Sequence, residues 1–335
     1  MNADDLFSPD TPANQTLRQQ LAPTDSPHRY QHELGVDVFL GTGKFTDRHS
    51  IEVNGATLNF KKALIAIGAR AVDLPIPGMK ESGALTNETL FSLTELPKRL
   101  VVIGAGPIGC EMAQAFARFG SAVTLIETEC RILPREDETA ATIVEQSMRE
   151  DGVEILCESK TTEVIKLGET THVHLNKNGE TQVIECDKVL IGVGRAPNVQ
   201  GLGLEAARVE YDDRKGVTVD DTLRTTNPNV YAAGDVSMAH KFTHTADAAA
   251  RIVIQNALFK GRKKLSRLAV PWCTYTQPEI AHIGIYEHQA KAQNIPHDVY
   301  FQKLDHVDRA ILDRADSGKA ISNHLPTISV NKFWT

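Results

Sequence analysis

Three glycines with a fixed spacing follow an apolar run in the stretch VVIGAGPIGCE. In a strand–turn–helix unit, the first glycine of G-x-G-x-x-G permits the tight turn, the second lets the backbone approach a pyrophosphate, and the third lets helix and strand pack closely. The helix N-terminus would present N–H groups to the phosphates. The pattern predicts a dinucleotide site, against the alternative of a tight turn without a ligand. Its residues are Gly104, Ala105, Gly106, Pro107, Ile108 and Gly109.

Glu127 ends the next apolar run, VTLIE, at about the distance at which such sites carry an acidic residue. Its carboxylate is expected to accept both hydroxyls of an adenosine ribose and to repel a 2′-phosphate, so NADH is favoured over NADPH. Arg131 and Arg135 lie nearby and weaken this preference, because an arginine is what accommodates the additional phosphate.

The elements that must position these residues follow from the hydrophobic pattern. Strands are predicted at 100–103, 122–126 and 153–156, and helices at 107–119 and near 136–150. Gly120 is expected to end the first of these helices. With several further β-type segments they predict one compact α/β unit that extends to about residue 198.

The flanking regions have weaker patterns. A broken helix is expected within 16–34, interrupted at Pro23 and Pro27. Three strands at 35–45, 50–60 and 61–70 are expected to form a small β-meander joined by Gly or Asn-Gly turns. Another helix is predicted at about 243–259, and a new domain near Pro271.

Composition excludes several classes of function. The 335 residues are 41% hydrophobic and 24% charged, with a net charge of −7, which argues against a nucleic-acid partner. No apolar run approaches the length of a bilayer span, and the polar N-terminus does not have the pattern of a signal peptide. We expect no membrane partner. The five cysteines show neither C-x-x-C nor C-x4-C spacing, so we expect no metal site and a cytoplasmic location.

Four further stretches occur in an order typical of one family. They are ALIAIGAR (63–70), VLIGVGRAPN (189–198), TTNPNVYAAGDV (225–236) and YTQPEIAHIG (275–284). Over about residues 20–315 the sequence resembles the pyridine nucleotide–disulfide oxidoreductases, most closely the mercuric reductase and dihydrolipoamide dehydrogenase branch. In that fold an NAD-binding domain is inserted between two pieces of an FAD-binding domain, which would explain why the Gly-rich strand starts near residue 100.

The resemblance implies an α/β fold, doubly wound and Rossmann-like, with three-layer ββα sheets in its FAD- and NAD(P)-binding domains and the start of an α+β dimerisation domain. The implied boundaries are a partial FAD-binding domain at 1–98, an NAD(P)-binding domain at 99–215, the second part of the FAD-binding domain at 216–265 and an incomplete dimerisation domain at 266–335.

The resemblance also implies cofactor contacts. Asp235 would bind the ribityl chain of FAD, and the helix that follows would point its N-terminus at the flavin, where negative charge develops on reduction. Glu111 would lie at the nicotinamide carboxamide, with an exposed helical carboxylate as the alternative, and the backbone of Gly194 would approach the nicotinamide. The remaining implied FAD residues are Gly43, Lys44, Gly68, Lys241, Phe242, Thr243 and His244. Arg195 is expected to hold the turn beside Asn198.

Two features of the family are not found in this sequence. One is the Gly-rich FAD loop followed by a C-x4-C redox pair, and the other is the His-Pro…Glu region near the family's C-terminus. We therefore expect a chain shortened at both ends, with weak or lost FAD binding and no catalytic residue of its own. The family forms homodimers, and the missing C-terminal region argues against a homodimer here.

Three hypotheses for function follow. In the first, NADH reduces FAD, and electrons pass to a small-molecule acceptor, which is a disulfide, a quinone or a metal ion. In the second, the chain is an NAD(H)-binding module without turnover. The third, a plain NAD-dependent dehydrogenase, gives no role to the AAGD and KFTHTA stretches.

Overall fold

The computed structural model describes residues 22–312 and 319–324. Its helices are α1 Pro27–His32, α2 Pro107–Phe119, α3 Glu138–Glu150, α4 Thr243–Leu258, α5 Glu287–Ala292 and α6 Asp308–Leu312. Its short 3₁₀ turns are Ala22–Asp25, Leu90–Ser92, Gly234–Val236, Leu265–Arg267 and Leu304–His306. Among these residues no helix combines the length and the apolar character that crossing a bilayer requires.

The first twelve strands are β1 Lys44–Phe45, β2 Ser50–Val53, β3 Ala56–Asn59, β4 Ala63–Ile65, β5 Ala69–Ala71, β6 Arg99–Ile103, β7 Ala122–Ile126, β8 Glu154–Leu156, β9 Ser159–Leu167, β10 Thr170–Lys177, β11 Glu180–Cys186 and β12 Lys188–Ile191. The others are β13 Arg195–Pro197, β14 Tyr211–Asp212, β15 Gly216–Val217, β16 Val230–Ala232, β17 Pro271–Thr274, β18 Ile280–Ile283, β19 Asp298–Lys303 and β20 Lys319–His324.

The described residues fall into two compact units. The first comprises residues 22–74, 85–96 and 194–268, and the second comprises residues 75–84, 97–193, 269–312 and 319–324. The segment 194–215, which the sequence assigns to the NAD(P)-binding domain, thus lies in the first unit.

The second unit is built on a parallel sheet with the strand order β12-β6-β7-β8. Four of the five residues of β6 are buried, as expected for a parallel strand covered on both faces. Helix α2 packs on β6 and β7, and the antiparallel sheet β11-β10-β9 contacts β6, β7 and β12. The layers are therefore helix, parallel sheet and antiparallel sheet, as the ββα prediction required.

Local sequence explains the bounds of the two helices beside this sheet. Pro107 is the first residue of α2, where its missing N–H removes no intrahelical bond, and Gly120 ends the helix at φ 104°. Asp137 caps α3, because its carboxylate accepts the N–H groups of Thr139 and Ala140 at 2.9 and 3.1 Å. Both predicted helices are confirmed, with α3 starting two residues later than expected.

The first unit combines short sheets and one long helix around two apolar clusters. Strand β4 pairs in parallel with β16, and β5 pairs antiparallel with β13. Phe45, Ile65 and Val230 lie in one buried cluster. Helix α4 packs through Ala249 and Val253 into a second cluster. Its bounds confirm the prediction of a helix at about 243–259.

The predicted β-meander is wrong in three respects. The Asn54–Gly55 turn lies inside the segment expected to be the second strand, and it divides that segment into the hairpin β2–β3. The third expected strand leaves this sheet, because Ala63–Ile65 pairs with Val230–Ala232 instead. Of the first expected strand, only Lys44–Phe45 is formed.

The N-terminal helix prediction is partly confirmed. Residues 16–21 lie outside the described residues, and the following 3₁₀ turn ends before α1. Pro27 begins α1 rather than interrupting a helix, and Ser26 caps it by accepting the N–H of Arg29. Near Pro271, where a new domain is expected, the chain enters β17, which pairs antiparallel with β18, and residues 269–312 belong to the second unit.

Candidate functional site

The Gly-rich loop runs from the end of β6 into α2. Gly104 has φ 99°, and a Cβ there would lie 2.7 Å from Cγ1 of Val193. A Cβ on Gly109 would lie 1.9 Å from the carbonyl oxygen of Gly104. Because each side chain would overlap its neighbours, these two positions require glycine for the internal packing of the turn.

Gly106 differs from the other two glycines. It occupies the N-cap position of α2 in an extended conformation, with no side-chain cap, and the nearest atom to a built Cβ is the carbonyl oxygen of Gly192 at 3.8 Å. Gly106 and Ile108 are half-buried, Pro107 is exposed and Ala105 is buried. The open side of Gly106 at an uncapped helix N-terminus fits the approach of a pyrophosphate.

Glu127 lies beside this loop and is 9% exposed. Its Oε2 accepts the N–H of Ala105 at 2.7 Å. Its Oε1 accepts the N–H and hydroxyl of Thr128 at 2.7 and 3.0 Å and the N–H of Glu129 at 3.1 Å. Each carboxylate oxygen has about two acceptor sites, and Oε2 accepts only one hydrogen bond here, so it retains capacity for one ribose hydroxyl and not for the two expected.

Arg131 is bound to its own loop. Its guanidinium donates to the carbonyl oxygens of Leu133, Pro134 and Glu136 at 3.0 to 3.1 Å. These contacts hold the guanidinium in a structural role and reduce its capacity to meet a 2′-phosphate. Arg135, the second arginine that weakened the preference for NADH, is exposed.

Glu111 on α2 accepts the N–H of Tyr275 at 2.9 Å. Burial raises the pKa of this carboxyl, and the hydrogen bond from Tyr275 opposes that rise. Glu111 is half-buried and not fully exposed, and its expected contact with the nicotinamide carboxamide stays a prediction. Gly194 belongs to the first unit, where it has φ 109° and its carbonyl oxygen accepts the N–H of Val72 at 3.3 Å.

Asp235 lies in the first unit, in the 3₁₀ turn Gly234–Val236. Its side chain is 11% exposed and forms an ion pair with Arg195. The ammonium of Lys241 donates to the backbone oxygen of Asp235 at 2.9 Å. Burial lowers the pKa of Lys241, with Asp235 opposing and Arg195 reinforcing this effect. The turn therefore holds two cations, Arg195 on the carboxylate of Asp235 and Lys241 on its backbone oxygen.

The N-terminus of α4 follows this turn. Thr243 is its first residue, and Phe242 occupies the N-cap position without a side-chain cap. The rings of Phe242 and His244 stack with centroids 5.3 Å apart. Five buried polar side-chain atoms in the described part of the chain have no hydrogen-bond partner, and three of them are Arg195 Nε, Ser237 Oγ and Thr245 Oγ1.

These orphaned atoms test whether the residues fit FAD. A buried polar atom without a partner is costly, so such atoms mark places where a ligand or ordered water supplies the missing bond. Their grouping on residues next to Asp235 and the first turn of α4 fits a polar cofactor with ribityl hydroxyls and a pyrimidine edge.

The other residues implied for FAD lie elsewhere in the first unit. Gly43 directly precedes β1, and Lys44 is exposed and pairs with Glu52 in the strand register. Gly68 has φ 68°, and its carbonyl oxygen accepts the N–H of Asn198 at 3.1 Å.

Sequence reasoning missed two contributions to these sites. Gly192 was not singled out, yet a Cβ there would lie 3.0 Å from Cα of Gly109. Its position in VLIGVG, directly after the apolar residues of a predicted strand, could have identified Gly192 from the sequence. Arg195 donates to the oxygen of Ala69 at 3.3 Å on the neighbouring strand instead of holding the turn beside Asn198, and its pairing with Asp235 was not foreseen.

All five cysteines lie within the described residues, and all are free. Cys110 is buried in α2, and burial strongly raises the pKa of its thiol, so it packs as a small apolar residue.

Comparisons with known proteins agree with this geometry. The family model described as pyridine nucleotide-disulphide oxidoreductase matches residues 14–251, and the model of its dimerisation domain matches residues 270–320. A mercuric reductase of Lysinibacillus sphaericus is 37% identical over 286 residues, which cover 85% of this chain and 52% of that protein. A dihydrolipoyl dehydrogenase of Bacillus subtilis is 35% identical over 263 residues, covering 77% and 56%.

The fold is shared with solved structures. A Cu(II) complex of the HOCl-induced flavoprotein disulfide reductase RclA of Escherichia coli has a TM-score of 0.82 and 30% identity, over 92% of this chain and 70% of that chain. This chain spans about half the length of the curated relatives it matches. It has an α/β, Rossmann-like fold, and it belongs to the pyridine nucleotide-disulphide oxidoreductase family.

Proposed function

We propose that this chain works as a FAD-dependent NAD(P)H oxidoreductase, with NADH as the electron donor and a disulfide, a quinone or a metal ion as the acceptor. The observation that carries the proposal is the set of unpartnered buried polar atoms of Arg195, Ser237 and Thr245 in the unit that contains Asp235. A dehydrogenase that uses only NAD has no need of this second polar site.

The residues have separate tasks. In the second unit, the backbone of Gly104–Gly109 and the N-terminus of α2 bind a pyrophosphate, and Glu127 binds the adenosine ribose. In the first unit, Asp235 accepts ribityl hydroxyls, Arg195 orients Asp235, and the N-terminus of α4 favours negative charge on a bound ring. When bound, FAD and NADH supply hydride transfer and electron relay.

Charge supports NADH as the donor. The carboxylate of Glu127 would repel a 2′-phosphate, and Arg131 is held by backbone carbonyl oxygens. We also propose the order of domains given above, with the NAD(P)-binding domain ending near residue 193 because 194–215 lies in the first unit, and a cytoplasmic location.

The decisive experiment measures cofactor and activity on one preparation. The purified chain is incubated with FAD, freed of excess and examined by visible absorption, then mixed with NADH and an artificial electron acceptor. Against the weak or lost FAD binding expected from the sequence, the proposal requires bound flavin and NADH-dependent reduction of the acceptor, with NADPH less effective. A colourless chain that neither retains FAD nor reduces the acceptor would overturn the proposal.

A second candidate is an NAD(H)-binding module without turnover. It is favoured by one observation, which is that the parallel sheet, the Gly-rich loop, α2 and Glu127 all belong to the second unit. Calorimetric titration with NADH, together with the flavin and acceptor measurements above, separates the candidates. The binding module requires about one NADH bound per chain, with no flavin and no acceptor reduction.

A further inference from the structure

Glu136 is a buried acidic residue that the cofactor sites described above do not use. It is 4% exposed. One carboxylate oxygen accepts the indole N–H of Trp272 at 3.0 Å, and the other accepts the hydroxyl of Tyr286. Trp272 lies in β17 and Tyr286 directly before α5, so both donors come from the segment 271–289, which lies within the match to the dimerisation-domain model.

Aromatic rings enclose this carboxylate. The ring of His282 stacks on Tyr286 with centroids 3.7 Å apart and lies 4.3 Å from the ring of Trp272. Tyr286 is 7% exposed, and burial together with its hydrogen bond to Glu136 raises its pKa. The phenol therefore stays a donor to Glu136, and the pair is shielded from water.

A continuous set of hydrogen bonds joins Glu136 to the Gly-rich loop. The N–H of Glu136 donates to the backbone oxygen of Leu133 at 2.9 Å. The guanidinium of Arg131 donates hydrogen bonds to the backbone oxygens of both residues. Leu133 is 1% exposed and has φ 46°. Its N–H donates to the oxygen of Ala105 at 2.8 Å.

The same segment also holds the helix that follows the loop. Besides the bond from Tyr275 to Glu111, the side chain of Gln114 exchanges two 2.8 Å hydrogen bonds with the backbone N–H and oxygen of Gln277. Segment 271–289 is thus attached to both the Gly-rich loop and α2, the two elements that would bind a pyrophosphate.

We propose that Glu136 is a positioning residue for the dinucleotide loop, through which Trp272 and Tyr286 of the dimerisation segment set the affinity for NADH. This inference rests on the proposed function for its ligand. A contiguous set of packed and hydrogen-bonded groups is the physical means by which a contact in one segment changes the geometry of another.

The test compares two variants with one control. Y286F removes one donor to Glu136 without changing the ring, and E136Q keeps the size of the side chain while removing its charge. The control, S147A, removes a 2.7 Å bond from Ser147 to the oxygen of Gln277, which attaches the same segment to α3 instead of the loop. Each protein is measured by hydrogen exchange without ligand and by calorimetric titration with NADH.

We expect amides in peptides covering 104–109 and 131–136 to exchange faster in Y286F and E136Q than in wild type, because a less constrained loop opens more often. The dissociation constant for NADH should rise about three- to tenfold in both variants. S147A should stay within about twofold of wild type in both measurements.

Unchanged exchange in the loop would overturn the proposal, even if the variants unfold at lower temperature, since that is what a purely structural role predicts. Faster exchange with unchanged affinity would also overturn it. If wild type does not bind NADH at all, the proposed function fails, and the exchange experiment alone then decides whether Glu136 positions the loop.

Discussion

The carboxylate of Glu127 accepts the backbone N–H of Ala105 at 2.7 Å, so the residue expected to bind a ribose also holds the Gly-rich loop. The carboxylate of Glu127 accepts hydrogen bonds from four donor groups on three residues, and Glu127 is 9% exposed. The candidate ribose ligand and the shape of the Gly-rich loop are therefore linked through one side chain.

Replacing Glu127 by glutamine should destabilise the protein even without nucleotide. The amide NH₂ group of E127Q must face N–H donors, and hydrogen bonds to a charged acceptor contribute about 1.5–3 kcal/mol each. We expect the free energy of unfolding in urea to fall by about 1–3 kcal/mol and NADH binding to weaken about tenfold or more. Unchanged stability with lost binding would show that Glu127 serves only the ligand.

Two alanine substitutions in the same loop should differ in their effects, one lowering the stability of the fold and the other weakening NADH binding. In G109A the new Cβ would lie 1.9 Å from the oxygen of Gly104, so we expect a loss of about 1–3 kcal/mol or more in urea unfolding. In G106A the nearest atom is 3.8 Å away, so stability should change by less than about 0.5 kcal/mol. The methyl group would nevertheless occupy the path of the pyrophosphate, and calorimetry should show NADH binding about tenfold weaker or worse. Equal stability of the two variants would contradict this assignment.

Removing Arg195 should affect flavin retention and stability together. R195M leaves the carboxylate of Asp235, 11% exposed, without its ion-pair partner. The free energy of unfolding should fall by about 1–3 kcal/mol, and the flavin absorbance per chain after reconstitution should drop. The matched control is R70M, because Arg70 binds the oxygen of Pro197 at 3.1 Å on the neighbouring strand. If R70M loses as much flavin as R195M, the ion pair has no special role.

The ion pair between Arg99 and Asp187 should make the protein sensitive to acid. Burial alone would raise the pKa of Asp187, but the hydrogen bonds from Arg99 outweigh it and lower that pKa. A lowered folded pKa means that the pair stabilises the fold above the unfolded pKa of about 4 and loses this effect as the pH falls further. Urea unfolding from about pH 7 to pH 3 should therefore show wild type more stable than D187N at neutral pH, with the difference narrowing as the pH falls below about 4. A constant difference across this range would refute the role of ionisation.

Local pattern was sufficient to predict the α/β unit that contains the Gly-rich loop. Helix α2 was predicted with both ends correct, because Pro107 and Gly120 have conformational requirements that do not depend on distant residues. The alternation of strands and amphipathic helices from β6 to β8 is likewise a property of short windows. The Gly-rich spacing also located the loop, although its ligand stays a prediction.

The same local reasoning failed where pairing is non-local. Ala63–Ile65 was expected in a meander with its neighbours, but it pairs with Val230–Ala232, far along the chain. Its apolar residues fit either strand neighbour equally well, so the choice depends on which partner completes the buried cluster around Phe45.

The sequence alone determined the family and the residue types at the two candidate cofactor sites, because these depend on motifs and on short-range periodicity. Only the tertiary structure decided which partners the charged side chains meet. Arg195 pairs with Asp235, and Glu136 accepts hydrogen bonds from Trp272 and Tyr286. The physical reason is that a buried charge needs a partner, and the chain folding around it, not its sequence neighbours, determines which donor comes within hydrogen-bond distance.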